Sequence, residues 1–184
     1  MKIIASFLSM LLTAFNCFAT TVVLDFESKE DLTKVKSHNW REGFTKEFPL
    51  ALSGDFPSNG KNALRINLPL GGCPGVIMEI KKGDCDWSKF KTLKMDVFNA
   101  EADPVLAYTV VVDKENVINF EGTEEEFPYF DKVLLKPGKN IVELKLENVK
   151  KNADIKEIKE IIVCIPDRTL IPLLLHLDAI RLEE

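Results

Sequence analysis

Six residues stand out for the chemistry they could do: Trp40, Arg41, Asp96, Thr109, Asp113 and His176. Trp40 and Phe44 sit in a long, weakly patterned stretch, with Arg41 and Glu42 between them. Asp96, Thr109, Asp113 and His176 occupy outward positions of alternating apolar runs, so neighbouring strands would gather them on one sheet face. A flat aromatic face beside a charged fork, hydroxyls or carboxylates recognises a ligand by stacking and hydrogen bonding. Signs of catalysis are weaker. No G-x-S-x-G, H-E-x-x-H, G-x-G-x-x-G or phosphate-loop pattern occurs in the chain. Only His38 and His176 could act as a base near neutral pH without a large pKa shift, and neither has a convincing nucleophile nearby in sequence. The run EGTEEEF (121–127) reads as a solvated hairpin tip. Packing is the bland alternative for the aromatics. Phe44, Phe48 and Phe56 could fold the long stretch onto the domain as a satellite cluster. An isolated aromatic such as Trp40 packs more often than it recognises.

The elements that must hold these residues are short strands. VVLDFE (22–27) sets Val22, Leu24 and Phe26 on one face, with Asp25 and Glu27 on the other. ALRINL (63–68), VIMEIK (76–81) and TLKMDVFN (92–99) follow, the last with Leu93, Met95 and Val97 inward and Asp96 outward. VLAYTVVVD (105–113) reads with Leu106, Tyr108, Val110 and Val112 inward. Two more strands lie near 127–135 and 141–146, joined by a Pro137-Gly138 turn. IKEIIVCI and LIPLLLHLDAIRL close the chain, with His176 alternating with Leu174 and Asp178. Strands at short spacing with turn signals between them predict an all-β antiparallel sandwich over residues 20–184, not βαβ units. Helix is scarce: one or two turns at SKEDLTKV and single turns at DWSKF and NADIKEI. In DWSKF, Asp86 and Ser88 hold a turn through side-chain to backbone bonds, and Trp87 and Phe90 close one end of the core. The stretch from Ser37 to Asn62 has no strong pattern, and loops that long are often functional.

Of 184 residues, 46% are hydrophobic and 29% charged, with a formal net charge of -5. This supports one domain with a sizeable core. It lacks the clustered basic footprint of nucleic-acid binding or of an anionic membrane surface. Residues 1–19 pair Lys2 with an apolar run and a small-x-small end at Cys17 and Ala19, the signature of a cleaved signal peptide. The run is short for a membrane span. An exported protein, periplasmic or secreted, is therefore expected, with no span after signal removal. Lipidation of Cys17 and an uncleaved anchor are the alternatives, the first opposed by Phe15 and Asn16 before it. Cys73, Cys85 and Cys164 would remain, so at least one thiol is unpaired or pairs between molecules. Cys73 and Cys85 flank a strand, which sets their ends too far apart for an easy bridge. Cys164, within an apolar run, reads as a small buried hydrophobe.

The ordered pieces LDFES, GKNALRI, PGV, DWSKFKTLKMDVFN, a strand ending at Asp113, LKPGKNIVEL, EIKEIIVCI and HLDAIRL resemble the galactose-binding-like jelly-roll superfamily over about residues 22–183. Within it, the chain is most similar to carbohydrate-binding modules of bacterial polysaccharide-degrading systems. The resemblance implies a jelly-roll sandwich with a surface for a poly- or oligosaccharide on a sheet face or at the end loops. Trp40, Arg41, Asp96, Thr109, Asp113 and His176 are then the candidates for that surface. It also implies one structural calcium ion pinning the first strand to the last. Glu27 and Asp178 match the acidic positions, with loop oxygens near Gly60 or Asn62 completing a shell of six to eight. Read alone, such carboxylates are usually solvated, and Asp178 could pair with Arg181 or Arg65. Tyr108 and Tyr129 are the only tyrosines, few for a sugar-binding surface, and Tyr108 reads as inward. The expected function is an exported, non-catalytic carbohydrate-binding protein. The alternatives are an exported structural or protein-interaction jelly roll and a small polysaccharide lyase or hydrolase, since fold does not fix function.

Overall fold

A computed structural model describes residues 20–41, 43, 44, 46–115, 129–166 and 172–184. The expected signal peptide at 1–19 with Cys17, Glu42, and the acidic run at 121–127 lie outside these residues. Strands and two single-turn helices follow in the order β1 (Thr20–Leu24), α1 (Lys29–Leu32), β2 (Val35–Asn39), β3 (Leu50–Ser53), β4 (Ala63–Leu68), β5 (Pro74–Glu79), β6 (Thr92–Asn99), β7 (Val105–Asp113), β8 (Tyr129–Leu135), β9 (Gly138–Lys145), α2 (Leu146–Val149), β10 (Ile158–Cys164) and β11 (Leu173–Glu183). They build two antiparallel sheets. One is ordered β3-β4-β11-β6-β9, with β1 also paired to β11; the other is β2-β5-β10-β7-β8. This is the expected all-β antiparallel sandwich.

Period-two alternation makes the core between the sheets. Leu93, Met95 and Val97 of β6 face Val76 and Met78 of β5 and Val111 of β7 within one buried cluster. Trp87 is fully buried in that cluster. Its indole N–H donates to the Asp84 carbonyl at 2.9 Å, and the Ser88 N–H donates to the Asp86 carboxylate at 2.9 Å. The DWSKF turn therefore closes the core as its sequence suggests. In β11 the inward set shifts phase at a bulge. Leu173, Leu175 and Leu177 are buried before it and Ile180 and Leu182 after it, with Ala179 at a φ of 44° and the β6 pairing shifted between Asp178 and Arg181.

Two expectations from the sequence change. The first concerns β7, whose inward residues are Val105, Ala107 and Val111, not Leu106, Tyr108, Val110 and Val112. Val110, Val111 and Val112 are all buried, so hydrophobicity does not distinguish the two faces of this strand. The second concerns residues 37–62. They are not a single loop, because β2 and β3 lie there as sheet-edge strands. VKSHN and LALS show little alternation because an edge strand needs only part of one face covered.

Candidate functional site

The candidate residues are split between three places. Thr109 lies on the inner face of β7 between Ala107 and Val111 and is buried. Asp113 ends the same face, and its carboxylate accepts the N–H groups of Glu115 at 3.1 Å and Asp154 at 2.7 Å. Both follow the corrected phase of β7, so they are structural residues and not part of an outer surface. Trp40 packs on the outer face of the five-stranded sheet, and Arg41 follows it in the chain, exposed. Asp96 and His176 belong to the outer face of the six-stranded sheet, with Asp178.

On the five-stranded sheet, the strand register lays outward side chains in rows. One row runs His38, Gly75, Cys164, Tyr108 and Lys132; the next runs Lys36, Ile77, Ile162, Val110 and Phe130. Val110, Val112, Ile162 and Cys164 form a buried floor, with Trp40, Cys73, Ile77, Tyr108 and Phe130 packed on it and half-buried. Tyr108 and Phe130 meet edge to face at 4.6 Å, and the Lys132 ammonium lies 5.7 Å and 5.6 Å from their ring centres. Trp40 meets His38 edge-on at 4.9 Å. Asn39 fixes this corner. Its side-chain oxygen accepts the N–H groups of Arg41 and Cys73, its amide donates to the Gly71 carbonyl, and the Trp40 N–H donates to the Cys73 carbonyl. Burial, with help from Lys46, holds the His38 imidazole below its usual pKa, against the pull of Glu47. The neighbouring Cys73 thiol and burial push the Cys164 thiol well up, which keeps it in the unreactive protonated form.

Sequence reading missed Tyr108, Phe130, Lys132 and Asn39 as members of this face. The wrong phase for β7 hid Tyr108 and with it the partner strand. The Asn-Trp-Arg order directly after a strand was the signal for Asn39, because asparagine readily caps the backbone two residues on.

On the six-stranded sheet, a pocket of about 270 Å³ opens between β6, β9, β11 and the loop after β3. Phe56 stacks on Phe98 with ring centres 3.8 Å apart and planes 7° from parallel, and both meet His176 edge-on. Asp96 is ion-paired with Arg181 at 2.9 Å. Phe56 holds a φ of 55°, a left-handed conformation that costs a bulky residue on the order of 1 kcal/mol or more. The loop that imposes it is held by the two carboxylates expected to bind calcium. Asp178 accepts the N–H of Ser58 at 2.7 Å, the Ser58 hydroxyl at 2.9 Å and the Asn59 N–H at 3.0 Å on one oxygen, and the Ala179 N–H at 2.7 Å on the other. Glu27 accepts the N–H groups of Lys61 and Asn62, both at 2.8 Å. A Cβ at Gly60 would overlap the Glu27 carboxylate.

That donor set does not fit a calcium ion. Calcium needs oxygens directed at it, whereas Asn62 and its neighbours direct N–H groups at the same carboxylates. Among the described residues no group of three or more His, Cys, Asp or Glu is placed to hold a metal. Glu27 and Asp178 do link the first and last strands to one loop, as the resemblance implies, but they do so through hydrogen bonds.

The fold is a jelly-roll β-sandwich, similar to that of solved carbohydrate-binding modules. A family 11 carbohydrate-binding module from Clostridium thermocellum, solved with a β-1,3-1,4-mixed-linked tetrasaccharide, superposes with a TM-score of 0.57 at 14% identity, over 89% of this chain and 94% of that one. The solution structure of CtCBM11 gives 0.60 at 14% identity, over 92% and 97%. An exo-β-agarase gives 0.63 at 14% identity, over 88% of this chain but only 24% of the agarase. No family model and no curated protein matches the sequence itself.

Proposed function

We propose that the protein is an exported, non-catalytic carbohydrate-binding protein that takes an oligosaccharide across the outer face of its five-stranded sheet. One observation carries this reading: three half-buried aromatics, Trp40, Tyr108 and Phe130, share that face. Trp40 follows β2 and Tyr108 lies on β7, three strands away in the sheet order. At ~4.8 Å per strand the two are separated by about 14 Å, more than one sugar ring covers. The apolar faces of successive rings would pack on the aromatics, and hydroxyls would bond to Arg41 and His38 beside Trp40 and to Lys132 beside Tyr108. The fold shared with sugar-binding modules supports the reading. The signal-like residues 1–19 support export.

A second reading has its own observation. Leu106 and Leu134, 42% and 58% exposed, extend the same face with apolar surface, as a protein contact would require. Binding assays with the β-1,3-1,4-mixed-linked tetrasaccharide and with agaro-oligosaccharides, followed by a wider glycan array, separate the two. The carbohydrate reading expects saturable binding that Trp40→Ala weakens about tenfold or more, the scale of a lost aromatic anchor. No binding to any glycan by the folded protein would sink it.

A further inference from the structure

We propose that Cys73 and Cys164 are a redox pair on the outer face of the five-stranded sheet, a modification site that an oxidant of the disulfide class closes into a disulfide bond. The inference goes beyond the carbohydrate reading and does not depend on it.

The strand register brings the two thiols together. In β10, Cys164 pairs with Gly75 of β5. Cys73 precedes Gly75 by two residues, so it shares the face of Gly75 and Ile77. It packs there on the buried floor to which Cys164 belongs. The two cysteines are diagonal neighbours on adjacent segments, about 7–8 Å apart at Cα in a regular sheet. A disulfide tolerates up to about 7 Å. This sheet is tighter than regular at that point. A Cβ added at Gly75 would lie 2.5 Å from the Cys164 Cβ and 2.6 Å from its Cα, whereas facing Cβ atoms ordinarily keep about 4.5–5.5 Å. No side chain at Gly75 stands between the thiols, and they are close enough for Cys73 to raise the Cys164 pKa. Cys73 lies just before β5 and directly after Gly71 and Gly72, so any remaining adjustment falls on a loop and not on a strand. Cys85 is remote from both. Its carbonyl accepts the Ile158 N–H at the start of β10, six residues from Cys164 or about 20 Å along the strand.

The chemistry is thiol–disulfide exchange. Cys73 is half-buried and Cys164 fully buried, so the oxidant meets Cys73 first. The Cys73 thiolate attacks one sulfur of the oxidant, whose other sulfur leaves as a thiolate. Cys164 then gives up its proton and attacks the Cys73 sulfur. The second thiolate leaves and takes up that proton. The two cysteines lose two electrons, and the oxidant is reduced to two thiols. Burial keeps Cys164 protonated, which makes the second step the slow one. The product pins a functional corner, because the Cys73 N–H donates to the Asn39 side chain and its carbonyl accepts the Trp40 N–H. Disulfide oxidants belong to the compartments that exported proteins enter.

The test is peptide mapping of the folded protein after incubation with oxidised glutathione, with free thiols alkylated before digestion. A Cys73–Cys164 linked peptide is expected in most molecules, lost on adding dithiothreitol, with Cys85 outside the bridge. The bridged protein should melt roughly 5–15 °C higher than the reduced one, and its Trp40 indole signal should shift while that of Trp87 stays. Cys164→Ala should stop at a glutathione adduct on Cys73. Should that variant not fold, the wild-type map decides alone. A wild type that stops at the Cys73 adduct, a bridge that includes Cys85, or no reaction at Cys73 would each overturn the proposal. A bridged protein that melts no higher would overturn the pinning of the Trp40 corner. Oligosaccharide binding by the reduced protein is independent of all these results.

Discussion

The two outer faces of the sandwich both carry paired aromatic rings, but the rings are used differently. On the five-stranded sheet, Tyr108 and Phe130 meet edge to face beneath the Lys132 ammonium, and Trp40 sits across the sheet beside His38. Those rings are spread over the sheet and half-buried. On the six-stranded sheet, Phe56 and Phe98 are stacked against one another over a pocket of about 270 Å³. The first arrangement suits a long ligand that lies flat; the second is confined to one pocket beside the Phe56 loop. What separates them is the polar surroundings. The Lys132 ammonium and the His38 imidazole border the first. Around the second, Asp96 and Asp178 are engaged within the protein, and side-chain nitrogens of His176 and its cross-strand neighbour Arg65 are buried without a partner. An aromatic pair alone says little about its ligand. The polar groups left beside it say more.

The largest expected effect does not discriminate between the faces. Trp87→Ala removes a fully buried indole under both sheets and should cost about 3–5 kcal/mol in urea unfolding. Both faces should be affected together. Asp178→Ala should act on one face only. It leaves the Ser58, Asn59 and Ala179 N–H groups without their acceptor, at about 1–3 kcal/mol for the buried share. It should also release the Phe56–Phe98 stack, seen as a change in the ring resonances. The Trp40 indole signal should stay where it is. If Trp40 moves as well, the two faces are coupled and the comparison fails.

Much of this was legible in the chain. β6, and β11 up to its bulge, alternate because each has one apolar face toward the core, and Asp96 and His176 lie on the outward face as expected. β7 was not legible. Val110, Val111 and Val112 are buried on both faces, so the phase could not be read, and Thr109 and Asp113 were assigned outward while Tyr108 was assigned inward. The division of the site is a fact of strand order. Nothing local in the sequence says that β7 and β11 belong to different sheets. The role of Glu27 and Asp178 was legible as a link between the chain ends but not as N–H acceptance, because that depends on the path of residues 58–62.

Smaller effects sharpen the same contrast. The folded-state pKa of His38 is lowered, so the unfolded chain takes up the proton first as pH falls through about 6.5. Its contribution to stability is therefore present above that pH and is lost as pH drops toward the lower folded value. His38→Gln should lose less stability than the wild type between pH 7.5 and 5.5. An identical loss would mean that His38 does not report on this face. Smallest of all is calcium. Because the loop anchor already accepts N–H donors, saturating calcium against chelator should leave the melting temperature unchanged. A concentration-dependent rise would show a bound ion.

The most direct measurement is a paired calorimetric titration of a bound oligosaccharide into Trp40→Ala and His176→Leu, beside the wild type. The account predicts that Trp40→Ala loses about tenfold or more in affinity while His176→Leu binds as the wild type does. Full affinity in Trp40→Ala with loss in His176→Leu would contradict it and move the carbohydrate to the pocket.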